Sequence, residues 1–113
     1  MIARIWHGKT PASKGEAYKE FTLKTAIPDY QSIPGCLSLN FLYRIENNEA
    51  HFTLITYWDS IESIKKFAGA DYEKAKYYPE DKNFLLEFEE EVVHHEVFYA
   101  SNAINPLRRT TVG

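Results

Sequence analysis

The chain has 113 residues, 44% of them hydrophobic and 26% charged, with a formal net charge of −3. That length suits one domain around one core, and the basic residues are too scattered for the stripe that a nucleic-acid backbone requires, which argues against nucleic acid as a partner. No run approaches the roughly 20 apolar residues of a membrane span, "MIARIWHGK" has no secretory leader pattern, and Cys36 stands alone, so a cytoplasmic protein off the membrane is expected.

Ile2 to Lys9 alternates as a strand, with Ile2, Arg4 and Trp6 on one face and Ala3, Ile5 and His7 on the other. In "TPASKGEAYKEF", Ser13 and Glu16 have the spacing of a capping box, so a helix is predicted to start there. It carries Ala17, Tyr18, Phe21 and Thr25 on one side and ends near Ile27, because Pro28 follows. "PDYQSIPG" reads as a loop. The runs "CLSLNFLYRIE" and "EAHFTLITYW" are β-rich and are joined by Asn47-Asn48, a pair that tolerates the positive φ of a tight hairpin. The hairpin sets Tyr43 opposite Phe52, Phe41 opposite Leu54 and Leu37 opposite Trp58 on an apolar face. Its other face pairs Arg44 with His51, Leu42 with Thr53, Asn40 with Ile55 and Ser38 with Tyr57, a mixed surface that suits protein or ligand better than bulk water. The same register opposes Glu46 and Glu49, a repulsion that argues for a looser turn.

In "WDSIESIKKFAG", Asp59 or Ser60 caps a helix with Ile61, Ile64, Phe67 and Ala68 on one face, and Gly69 stops it. A short helix is predicted from Asp71 to Tyr78, and another turn or two after Pro79. A final strand lies in "EEEVVHHEVFYA", whose leading glutamates would protect an exposed edge. Residues 1–100 thus read as a single domain and 101–113 as an arm or flexible tail. The order β-α-β-β-α-β predicts an α+β, ferredoxin-like antiparallel sheet with helices on one face. The second face calls for a cover, and another copy of the same sheet would provide it, giving a homodimeric α/β barrel.

Eight Tyr, seven Phe and two Trp are many for this length and suit a core, a dimer interface or a pocket for a flat ligand. The four histidines carry no carboxylate or cysteine spacing of a metal site, and His94 and His95, neighbours on one strand, point to opposite faces, so no metal is expected. Arg44 opposite His51 offers a donor fork for an anionic ligand oxygen, or else answers Glu46 or Glu49 at the surface. Trp58 ends the hairpin just before a helix, where it either faces a space between sheet and helices or closes the core with its indole N–H on a carbonyl.

The run "YWDSIESIKKFAG", the placement of "GKTPASKGEAYKEF" after the first strand and the hairpin between them resemble the antibiotic biosynthesis monooxygenase superfamily over residues 2 to 99. The resemblance implies a cofactor-independent monooxygenase acting on a phenolic, quinol or polycyclic aromatic small molecule, with a non-catalytic ligand-binding or stress-associated protein as the alternative. In such a site Trp58, Tyr77 and Tyr78 serve as donors, His51 as base, Arg44 as anion partner and Phe67 as wall; Asn40, on the mixed face, joins the substrate contacts. Trp58 matches a Trp of polyketide oxygenases of the group, whereas their strand-borne Asn has no counterpart here. Against the heme-degrading branch, the axial His position falls on Tyr77, the Trp that presses on the porphyrin on Phe67, and a first-strand Asn near His7 or Gly8. These differences disfavour heme, although Tyr is an iron ligand elsewhere. Because adjacent helical residues diverge by about 100°, Tyr77 is expected in the pocket and Tyr78 in the core.

Overall fold

A computed structural model describes residues 1–101; apart from Ser101, the expected arm lies outside them. Strand β1 (Ile2–Pro11) is followed by a helical stretch, the hairpin β2 (Cys36–Glu46) and β3 (Glu49–Trp58), then a helix at Ile61–Ala68, and finally β4 (Val93–Glu96). All neighbours are antiparallel in the order β2-β3-β1-β4, the ferredoxin-like arrangement that the element order anticipates. Among the described residues no helix is long and apolar enough to cross a membrane.

The Asn47-Asn48 turn is tight, with φ of 53° and 62°, and the ladder keeps Glu46 opposite Glu49. The expected loosening is absent because each glutamate has its own cation: Arg44 pairs with Glu46, and Lys9 Nζ lies 3.6 Å from Glu49. Tyr43 faces Phe52 and Phe41 faces Leu54 as read. A bulge between Cys36 and Ser38, however, puts Cys36 opposite Trp58 and leaves Leu37 half exposed.

The first helical stretch departs most from expectation. Ser13 caps nothing, since it sits in a 3-10 turn (Ala12–Lys14), and the Ala12 N–H donates to the Asn48 carbonyl, tying the helix entrance to the hairpin. Helix α1 (Gly15–Phe21) then passes through a π turn (Thr22–Ala26) into α2 (Ile27–Gln31), so the chain stays helical through Pro28. Pro28 falls in the first turn of α2, where its missing N–H costs little. The buried stripe is Tyr18, Thr22, Ala26 and Tyr30, four residues apart each time. An α-helix of 3.6 residues per turn rotates such a stripe off the sheet, and the wider π turn corrects the drift.

Ser60 caps α3 (Ile61–Ala68), its Oγ accepting from the Ser63 N–H at 3.2 Å, and Gly69 ends it at φ 88°. The helix expected from Asp71 to Tyr78 does not form. Its backbone pairs with the chain ahead of β4 instead: the Ala75 N–H donates to the Glu90 carbonyl and the Val92 N–H to the Glu73 carbonyl, both at 2.8 Å. A 3-10 turn (Pro79–Asn83) follows, its Tyr78 N–H held by the Asp81 carboxylate. The helices and residues 69–92 cover one sheet face, where Trp6, Phe52, Leu54 and Trp58 are buried. The other face is bare and carries exposed Leu42 and Val93.

Candidate functional site

Strand alternation places Ile2, Arg4, Trp6, Gly8 and Thr10 of β1 on the helix-covered face, in register with Trp58, Thr56, Leu54, Phe52 and Ala50 of β3. Between this floor, the buried helix stripe and Lys76–Asp81 lies a cleft with about 400 Å³ of atom-free space, open at one side. Only about 20 Å³ of it admits a water-sized sphere, roughly one water molecule. Its walls are aromatic: Trp6 meets Phe41 edge-on at 6.5 Å and Tyr77 at 6.2 Å between centroids. Gly8 makes room for this arrangement, since a Cβ there would lie 2.2 Å from the Trp6 ring.

Arg4 is a cation on this floor, 2% exposed. One of its Nη atoms donates to the Lys74 carbonyl at 3.1 Å, Phe67 faces its guanidinium at 5.5 Å, and its Nε has no partner. Among the described residues it has no carboxylate within ion-pair distance. Burial pulls its pKa down, countered in part by Tyr30 beside it, whose own hydroxyl burial pushes up to about 12. Asp81 lines the opposite wall, 3% exposed. It accepts from the Tyr18 hydroxyl at 3.0 Å and from the Tyr78 N–H at 2.7 Å, and burial raises its pKa against these bonds.

The residues expected to act together are divided by the sheet. Tyr77 and Tyr78 both line the cleft, on opposite sides because their segment is not helical. The Tyr77 hydroxyl accepts from Trp6 Nε1 at 3.2 Å and donates to the Glu89 carbonyl at 2.7 Å, and burial raises its pKa. Tyr78 reaches α2 and donates to Asp29. Trp58 is fully buried beneath Phe67, its indole N–H donating to Thr56 Oγ1 at 2.8 Å. It is therefore a core ring whose donor is taken, by a hydroxyl rather than a carbonyl. Phe67 packs behind Arg4, with Lys76 Nζ 4.3 Å from its centroid. Arg44, His51 and Asn40 point to the bare face, as their register dictates. There Arg44 binds Glu46, His51 Nε2 lies 3.7 Å from Glu49, and both border an open groove with His7 and Lys9 that has about 680 Å³ of atom-free space, more than the cleft. Among the described residues no three His, Cys, Asp or Glu side chains are grouped to hold a metal ion.

Arg4, Trp6 and Asp81 are the cleft residues that sequence reasoning missed. For Arg4 the signal was present, a cation between Ile2 and Trp6 on an otherwise apolar face. Asp81 carried none, because one member of an acidic pair after Pro79 looks like any solvated turn.

A four-stranded antiparallel sheet with helices on one face and an aromatic cleft beneath them defines an α+β, ferredoxin-like fold. No family model matches the sequence, and no curated protein matches it. Solved structures match over most of both chains. The heme degrader MhuD of Mycobacterium tuberculosis, with two hemes bound in its active site, superposes with a TM-score of 0.60 at 19% identity, covering 88% of this chain and 98% of that one. A variant of MhuD with two manganese protoporphyrin IX molecules per active site gives 0.60 at 17% identity, covering 88% and 97%. A Bacillus cereus protein assigned as an antibiotic biosynthesis monooxygenase gives 0.54 at 13% identity, covering 88% and 96%. The chain thus has the fold of the antibiotic biosynthesis monooxygenase superfamily, and at these identities the likeness is one of fold.

The Tyr77 hydroxyl, at the position expected to ligate iron, is hydrogen-bonded on both sides in this conformation.

Proposed function

We propose that this chain is a monooxygenase-like protein that takes a phenolic, quinol or polycyclic aromatic molecule into the Arg4–Trp6–Tyr77 cleft and oxidises it without a cofactor. The observation that carries this reading is a buried guanidinium with no carboxylate partner on the floor of an aromatic-walled cleft. A buried cation costs several kcal/mol unless something compensates it, and unpartnered charges in clefts are functional candidates. The ionised oxygen of a phenol or enol is the kind of group that would compensate Arg4, and Trp6, Phe41 and Tyr77, now in contact, have to part to admit its ring.

The chemistry follows from charge. Deprotonating an electron-rich ring makes it a reductant for O₂, and a fixed cation at the oxygen favours the anion. Oxidation of a methylene to a carbonyl places one oxygen atom of O₂ in the product and one in water, so the substrate itself supplies all four electrons. Asp81, its pKa raised by burial, is a suitable proton acceptor across the cleft. Trp58, His51, Arg44 and Asn40 are left outside this mechanism, one in the core and three on the bare face.

The protein works in this reading as a homodimer. Leu42 and Val93 on the bare sheet face are about half exposed, and Phe98 and Tyr99 just beyond β4 are 94% and 72% exposed. A second copy covering them would match the usual fate of such apolar surface.

The test is oxygen consumption with a dihydroxynaphthalene or an anthrone as substrate and a chelator present. Uptake proportional to enzyme is expected; uptake no faster than the protein-free blank would remove the oxygenase. A binding protein without catalysis is the second reading, favoured by one observation: the Asp81 carboxylate and the Tyr77 hydroxyl already hold hydrogen bonds within the protein. It is distinguished by ligand binding without uptake. Hemin addition addresses the remaining branch, and the expected result is an unchanged Soret band.

A further inference from the structure

We propose that the natural ligand of the cleft is an aryl carboxylate whose carboxylate sits against Arg4 and His94; this deepens the function above and rests on it. Among the described residues, two buried side-chain nitrogens lack any hydrogen-bond partner, Arg4 Nε and His94 Nε2. They belong to residues directly opposite each other in the β1–β4 ladder, on the same face of the sheet, where such Cβ atoms lie about 5 Å apart. Buried polar groups are rarely left unpaired, and two adjacent ones point to a single missing acceptor.

The missing group is negative. Arg4 is a cation, and His94 is held neutral by burial first and by Arg4 second. Among the described residues the chain supplies no paired anion here: Glu73 pulls the His94 pKa up but is exposed and holds no ion pair with either residue, and Asp81 has one oxygen accepting from Tyr18 and the other from Tyr78. The missing group is also flat. A planar guanidinium fork matches a carboxylate, and its two oxygens answer two nitrogens when His94 carries its proton on Nε2. A lone phenolate has only one oxygen to share. Tyr72 lies edge-on to His94 at 5.2 Å and Phe67 faces Arg4; of the pair only Arg4 lines the cleft, beside Trp6, so the ring of the ligand extends toward Trp6.

The test is calorimetric titration of the intact protein with 1-hydroxy-2-naphthoate, with its neutral carboxamide and with 1-naphthol. The carboxylate is expected to bind at least tenfold more tightly than either neutral ring. Arg4→Met should erase that preference, carboxylate affinity falling further than naphthol affinity, and Arg4→Lys should keep part of it. Equal binding of all three to the wild type would overturn the carboxylate and leave the aromatic cleft standing. Binding of none would overturn the cleft as well. The wild-type comparison of acid with amide decides the question even if Arg4→Met does not fold.

Discussion

Arg4 shows how one residue can sacrifice stability for a site. Replacing a buried ion pair by apolar residues of similar volume is often neutral or stabilising by about 1–4 kcal/mol, and Arg4 lacks even the carboxylate that offsets burial in a pair. Arg4→Met should therefore raise the urea midpoint while removing anion binding; a lowered midpoint would mean that the guanidinium is structural. Trp58 is the reverse case. Fully buried and bonded to Thr56, it should lose about 1–3 kcal/mol on Trp58→Phe and leave ligand affinity unchanged, as calorimetry would reveal. Asp81 adds a pH signature. Its folded pKa is raised, so the folded state holds its proton more tightly than the unfolded chain does. Stability should then fall as pH rises from the ordinary Asp value of about 4 to the raised folded value, and level off above it. Subtracting the Asp81→Asn curve from the wild-type curve isolates that slope; a difference that does not change with pH would contradict the assignment.

At the scale of elements, the hairpin is the most regular part of the molecule. Asn47 and Asn48 both adopt the left-handed region, which costs a β-branched residue roughly 1–2 kcal/mol. Asn47→Val should lower stability by about that amount in urea unfolding, whereas Asn48→Gly should be neutral or slightly stabilising. The faces and register of this hairpin were legible because strict alternation and one turn pair determine them. Its bulge at Cys36 was not, since nothing in "GCLSL" marks the extra residue. The π turn escaped notice for a related reason. Tyr18, Thr22, Ala26 and Tyr30 repeat every four residues, and that spacing has meaning only once the sheet beneath them is in place. Asp71 to Tyr78 has helical composition, but pairing with residues 90–92 prevails over local preference.

At the scale of the whole molecule, the expected site was assembled from both faces of one sheet. The register that correctly paired Arg44 with His51 also separates them from Tyr77. Arg4 was visible as a cation on an apolar face, but its lack of a partner depends on contacts with Lys74 and Phe67, some 70 and 63 residues away along the chain. The bare face makes its own demand: light scattering at micromolar concentration should give a dimer, and Leu42→Glu combined with Val93→Lys should give a monomer. The central claim is that the ligand lies on the helix side of the sheet. The most direct measurement is a crystal structure of the protein soaked with a naphthalenediol. The expected density lies between Trp6, Phe41 and Tyr77 with an oxygen toward Arg4; density on the open face beside Arg44 and His51 would contradict the account.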